Sequence, residues 1–200
     1  MKIRFVAVLA AVGALAVVGP GRLGAQSAAA PTGSIVAFSS IPWGSSEAAV
    51  VARAGRPPVI QSVRGLKALA YTEELLGQTV TTLYVIHPQH GLIAGGYSAP
   101  YTYGNSCWEI YSSFKAAIMA RYPNLMPDVT ESNESRSLDM CAAVGIHRAT
   151  AIITWNDPVN GARAYVQIKD DPREVQTMYV SAQGLRDFGT ISEGEVRDRF

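Results

Sequence analysis

Apolar and polar positions alternate along this chain in two distinct rhythms, and each rhythm predicts its own kind of element. Helical spacing comes first in Gly44–Pro57, where Ser45 or Ser46 can cap the first amides and Glu47 suits the positive helix start. Gly55 and then Pro57 end that helix. A second helix is predicted from Ser106, with Ser106 and Glu109 spaced as a capping box. Ile110, Tyr111, Phe114, Ala117, Ile118 and Tyr122 then recur at three and four residues to make one apolar face, and Pro123 stops it.

Between and after these helices the rhythm is that of strands. Val59 to Val63, Leu66 to Thr72, Gln78 to Ile86 and Leu92 to Ser98 are short apolar runs, and Thr79–Ile86 is rich in β-branched and aromatic residues. Gly77 and His87-Pro88-Gln89-His90-Gly91 supply the turns of an antiparallel meander. Ala149 to Trp155, Ala162 to Ile168 and Val175 to Ala182 predict a second meander, with turns at Asn156–Gly161 and Asp170–Glu174. Residues 123 to 137 are polar and proline-rich and read as an exposed connection that carries the sequon Asn133-Glu134-Ser135.

The predicted fold is therefore α+β. Two helix-plus-antiparallel-meander units, about 35–100 and 101–182, pack as one compact domain, because a helix on one sheet face leaves the other face for a neighbour to cover. Residues 183–200 are poor in apolar side chains and read as a weakly ordered tail.

The ends add a cellular address. Lys2 and Arg4 precede an apolar run from Phe5 to Val18, and Gly19, Pro20 and then Leu23-Gly24-Ala25 follow it. This is the layout of a secretory signal peptide, residues 1–25, cleaved after Ala25. The apolar run is about 14 residues long, against roughly 20 for a spanning helix, so no stable membrane insertion is expected after cleavage. Residues 26–34 are small and polar, a flexible leader. The mature chain is expected to be periplasmic or secreted.

Charge narrows the partners. Removing residues 1–25 takes away Lys2, Arg4 and Arg22 and no acid, so 17 basic against 16 acidic residues becomes 14 against 16, a net charge of −2. Such a chain lacks the basic footprint of a nucleic-acid binder. The two cysteines, Cys107 and Cys141, are an even pair in an exported protein, which favours a disulfide over a reactive thiol.

The stretch Gly44–Pro57 resembles the helix signature of the SmpA/OmlA family of small outer-membrane lipoproteins, with Gly44, Ser46, Val50, Gly55 and Pro57 at the matching places. Two helix-plus-sheet units in tandem are similar to the plan of β-lactamase inhibitory proteins. The resemblance implies a scaffold that works through its surface.

Candidate chemistry is sparse. His87 and His90 flank Pro88 and could hold a transition metal with a third ligand from His147 or a carboxylate, but turn chemistry alone explains the segment. No Gly-x-Ser-x-Gly elbow occurs, and the doublet Gly95-Gly96 sits in a strand signal, where close packing explains it better than a nucleotide loop. Tyr97, Tyr101, Tyr103 and Trp108 offer rigid amphipathic contact area around a loop, a possible binding surface that competes with a role in the core edge. The expectation is a non-enzymatic exported binding or envelope-maintenance protein with no cofactor, whose partner is another envelope or secreted protein. The alternative is a small secreted hydrolase or metal-binding protein that uses the histidines.

Overall fold

Across residues 33–63, 66–102, 106–134 and 138–188, which the computed structural model describes, ten strands and four helices follow one another. In order they are β1 (Ala37–Phe38), β2 (Ile41–Pro42), α1 (Glu47–Ala54), β3 (Val59–Val63), β4 (Leu66–Leu75), β5 (Gln78–His87), β6 (Gly91–Pro100) and α2 (Ser106–Arg121). Then come β7 (Pro127–Asn133), α3 (Met140–Gly145), β8 (Ala149–Asn156), β9 (Arg163–Lys169), β10 (Glu174–Val180) and α4 (Ala182–Phe188). The predicted signal peptide and most of the leader lie outside the described residues.

Local chemistry forms α1 as expected. Ser46 caps it through its hydroxyl, which accepts from the Ala49 amide, and Gly55 ends it in the left-handed region at φ 68°. Val50 points into the core. At α2 the capping box does not form as written: Ser106 is the first helical residue, and its hydroxyl donates to the Thr102 carbonyl. The apolar face of α2 is buried through Ile110, Tyr111, Phe114 and Ile118.

The predicted pair of helix-plus-meander units is corrected by the sheet. Eight strands form one continuous antiparallel sheet in the order β3-β4-β5-β6-β10-β9-β8-β7, and only β1 and β2 pair separately. The last strand of each meander pairs with the other, from Ala94↔Val180 to Pro100↔Glu174, so the protein is a mostly β structure with short helices. The physical reason lies in burial: most residues of β6 and all of β10 are buried or partly buried, on both faces, as central strands are. A meander ending in such strands cannot stop at its own edge.

The polar stretch read as a connection contains β7, an edge strand with six of its seven residues exposed, where polar side chains and Pro127 discourage further pairing. The tail read as loose begins with α4, whose Gly184 and Phe188 are buried; residues 189–200 lie outside the described residues.

Register assigns the faces. One row across the sheet runs Leu69, Tyr84, Gly95, Tyr179, Ala164 and Trp155, and it belongs to the larger core beneath α1 and α2. Phe38 of β1 sits over this row, with ring centroids 5.2 Å from Tyr84 and 5.4 Å from Tyr179. Gly95 makes the room, since a Cβ there would run into the Phe38 ring. Gly95→Ala is therefore expected to cost about 1–3 kcal/mol by overpacking, and adding Phe38→Leu should recover part of it. Denaturant midpoints of the two variants check this; an unchanged midpoint for Gly95→Ala would show that Phe38 yields freely.

The opposite face carries a smaller cluster of Val85, Ile93, Ala94, Met178 and Val180, over which α4 lays Leu185 and Phe188. Gly184 lets α4 approach the sheet closely, because a Cβ there would stand 2.6 Å from the Ile93 carbonyl oxygen. The Ser181 hydroxyl completes the joint by donating to that carbonyl and accepting from the Gly184 amide.

Candidate functional site

Beyond the smaller cluster, the uncovered part of this second face turns polar and leads to a cleft at one end of the sheet. The ladder between β8 and β9 runs from Asn156↔Arg163 only as far as Ile152↔Gln167. β8 begins three residues earlier, at Ala149, and β9 continues two residues further, to Lys169. Their other edges stay paired, β8 with β7 and β9 with β10. The two strands thus fork, and a cleft of about 580 Å³ opens between them.

Sequence builds the walls of this fork. Asp139 caps α3 by accepting from the Ala142 amide, and Cys141 in α3 is joined to Cys107 in the first turn of α2, with Cα atoms 6.1 Å apart. Helix α3 ends in a Schellman turn: the Arg148 amide donates to the Ala143 carbonyl and the His147 amide to the Val144 carbonyl. His147 occupies the left-handed position of that turn, at φ 56°, where glycine is usual. The cleft is lined there by Val144 and His147, and across the fork by Thr150, Gln167, Lys169 and Asp170.

Two of these polar side chains bond to neighbours, and Lys169 differs from them. Gln167 donates to the Gln176 side chain at 2.8 Å, and Asp170 is held by Arg173 at 3.4 Å. Lys169 is only 7% exposed; its Nζ lies 3.6 Å from Glu174 Oε1 and has no hydrogen-bond partner. A buried ammonium with unused donors is costly unless a further acceptor meets it. The backbone carbonyl of the same residue is satisfied by the Tyr101 hydroxyl at 2.8 Å.

That bond also decides the fate of the aromatic residues. Tyr101 is buried, and Tyr97 packs its ring 5.1 Å from Phe38 in the core. Trp108 is 37% exposed and stacks on Tyr111 at 5.1 Å, while Tyr103 lies outside the described residues. Tyr97 and Tyr101 thus serve the core, and their pattern in sequence could not distinguish a loop surface from a core edge.

The histidines separate. His87 and His90 occupy the β5–β6 turn, stacked with ring centroids 4.5 Å apart. The register places that turn at the end of the sheet next to Val180, whereas His147 is at the other end with the fork. The length of β10, roughly 20 Å, lies between them. A site using all three histidines is therefore not built. Compared with protein-family models, with curated proteins and with solved structures, the chain finds no match.

Proposed function

We propose that this chain is an exported binding protein that takes an extended segment of another envelope or secreted protein into the fork between β8 and β9. The stopped ladder carries the reading. Backbone groups that would have continued the pairing line the opening, and an extended peptide can satisfy them while side chains around the fork set its register. The Lys169 ammonium offers such a segment a buried donor for a carbonyl or carboxylate.

The setting has independent support. A disulfide is compatible with an oxidising compartment, and among the described residues no helix is long and apolar enough to cross a membrane. The signal peptide read at residues 1–25, and the α1 signature that resembles small outer-membrane lipoproteins, favour the periplasm or the exterior. The fork's lining gathers His147, Thr150, Lys169 and Asp170 around one opening, side chains that can hydrogen-bond an extended segment.

A photo-crosslinking residue at Thr150, which is exposed and lines the fork, tests this in the native envelope or secreted fraction. One defined protein should be captured there and not from Thr79, which is exposed near the β4–β5 turn away from the fork. His147→Gly should reduce the capture roughly tenfold while leaving the fold intact, because glycine suits the left-handed position. Equal capture from both positions, or capture of the chain by itself alone, would overturn the proposal.

A further inference from the structure

The β5–β6 turn and α4 bring together three side chains of a different character. His87, His90 and Asp187 each offer one ligand atom, and these atoms all lie within 4.8 Å of one another. Among the described residues this is the group of histidine, cysteine and acidic side chains so arranged. We propose that it binds one divalent transition-metal ion of the zinc class, which clips α4 to the turn.

Donor chemistry selects that class. Two imidazoles and one carboxylate suit zinc and its neighbours, whereas calcium and magnesium require more oxygen ligands. Three protein ligands leave a fourth tetrahedral position for solvent. Bonds of about 2.0–2.2 Å to a common ion call for ligand atoms somewhat closer than 4.8 Å, a closure within reach of side-chain adjustment in a partly exposed turn.

Each ligand is placed by a separate feature of the fold. His87 is the last residue of β5, paired with Gly91, so the intervening turn folds His90 back over it. The Gln89 amide donates to His87 Nδ1 at 3.1 Å, so that ring nitrogen is an acceptor within the turn. An ion would exchange this exposed turn hydrogen bond for a coordinate bond. Asp187 comes from α4, which Ser181 and Gly184 hold against β6, and the Gln183 side chain donates to its Oδ1 at 2.8 Å, orienting the carboxylate. The buried Phe188 beside it anchors the same turn of helix.

The ion would be held by side chains from distant parts of the sequence, so its binding should damp opening of α4. It would also lie at the far end of the sheet from the fork, so this site and the β8–β9 cleft do not depend on each other.

The experiment uses the metal-stripped mature chain, titrated calorimetrically with zinc, with magnesium and calcium as hard-ion controls. One zinc ion should bind per chain and slow amide exchange in α4, with neither hard ion competing. His90→Ala, an exposed change that leaves the core untouched, should weaken zinc binding about 10- to 100-fold, and Asp187→Asn should weaken it at least about tenfold. In both variants the zinc-dependent slowing of exchange in α4 should disappear. No zinc uptake, equal uptake of magnesium, or uptake indifferent to His90→Ala would overturn the proposal.

Discussion

Cys107→Ser is expected to lower the stability of the mature protein by about 4 kcal/mol. The disulfide spans 34 positions of sequence, and closing a loop of that size restricts the unfolded chain by about this amount in the chain-entropy model. A small domain is stable by only about 5–15 kcal/mol, so the change removes a large fraction of the total. The effect should be uneven. Cys141 belongs to α3, a six-residue helix that walls the fork, and without the bond α3 is held mainly by its packing on β8 and β9. Amide exchange in residues 140–148 should therefore quicken more than exchange in β6 or β10. Both cysteines are 0–1% exposed, so a reductant alone should act slowly and only through opening of the structure. Urea titrations of the oxidised protein and of Cys107→Ser measure the difference; a loss below about 1 kcal/mol would show that the crosslink constrains little beyond what packing already fixes.

The disulfide was legible from the parity of the cysteines and the export expected from residues 1–25, whereas the partnership of sheet and site was legible only in fragments. Ser46 and Gly55 announce α1 because capping is local, and the three-and-four spacing of Ile110, Phe114 and Ile118 announces α2 for the same reason. The hairpins β4–β5, β5–β6 and β9–β10 follow from β-branched runs and the turns between them. What joins the halves is a register between strands far apart in sequence, and nothing local to β6 or β10 specifies it. Burial on both faces is its one trace, visible in the apolar and small residues Leu92–Gly96 and the run Val175–Val180.

The sites divide along the same line. His87 and His90 are paired by a turn and visible in sequence, but Asp187 joins them only because Gly184 lets a polar-looking helix lie against the sheet. The fork is harder still, since it consists of pairing that stops. Composition likewise misplaced β7: a solvated edge strand and a solvated loop carry the same polar residues, and only pairing with β8 separates them.

The N-terminal segment is tied to the second meander by one carboxylate, and Asp157→Ala should cost about 3–4 kcal/mol. Asp157 lies in the β8–β9 turn and is 2% exposed. Its Oδ2 accepts from the Ile35 amide at 2.7 Å and from the Asn160 side chain at 3.0 Å. Its Oδ1 accepts from the amides of Val159 at 2.9 Å and Asn160 at 3.2 Å. Alanine would strand the Ile35 donor beside a side chain that is itself fully buried; a charged hydrogen bond contributes about 1.5–3 kcal/mol, and an unsatisfied buried donor costs about 1–3. Burial alone would raise the pKa of Asp157, but the donors from Asn160, Ile35 and Val159 outweigh it and hold the carboxyl below the usual carboxylate range. A folded-state value below the unfolded one of about 3.9 stabilises the protein above that pH, and the contribution is lost as pH falls through the folded value. Stability should thus be insensitive to this group from neutral pH down to about 5 and should fall in stronger acid. Asp157→Asn should cost about 2 kcal/mol at neutral pH and flatten that acid limb, because it keeps the shape of the turn but neither titrates nor accepts at both positions. Thermal unfolding of the three proteins between about pH 2 and 7 separates the effects. If Asp157→Asn falls as steeply in acid as the native chain, the acid limb belongs to other carboxylates, and the link to Ile35 does not depend on the charge of Asp157.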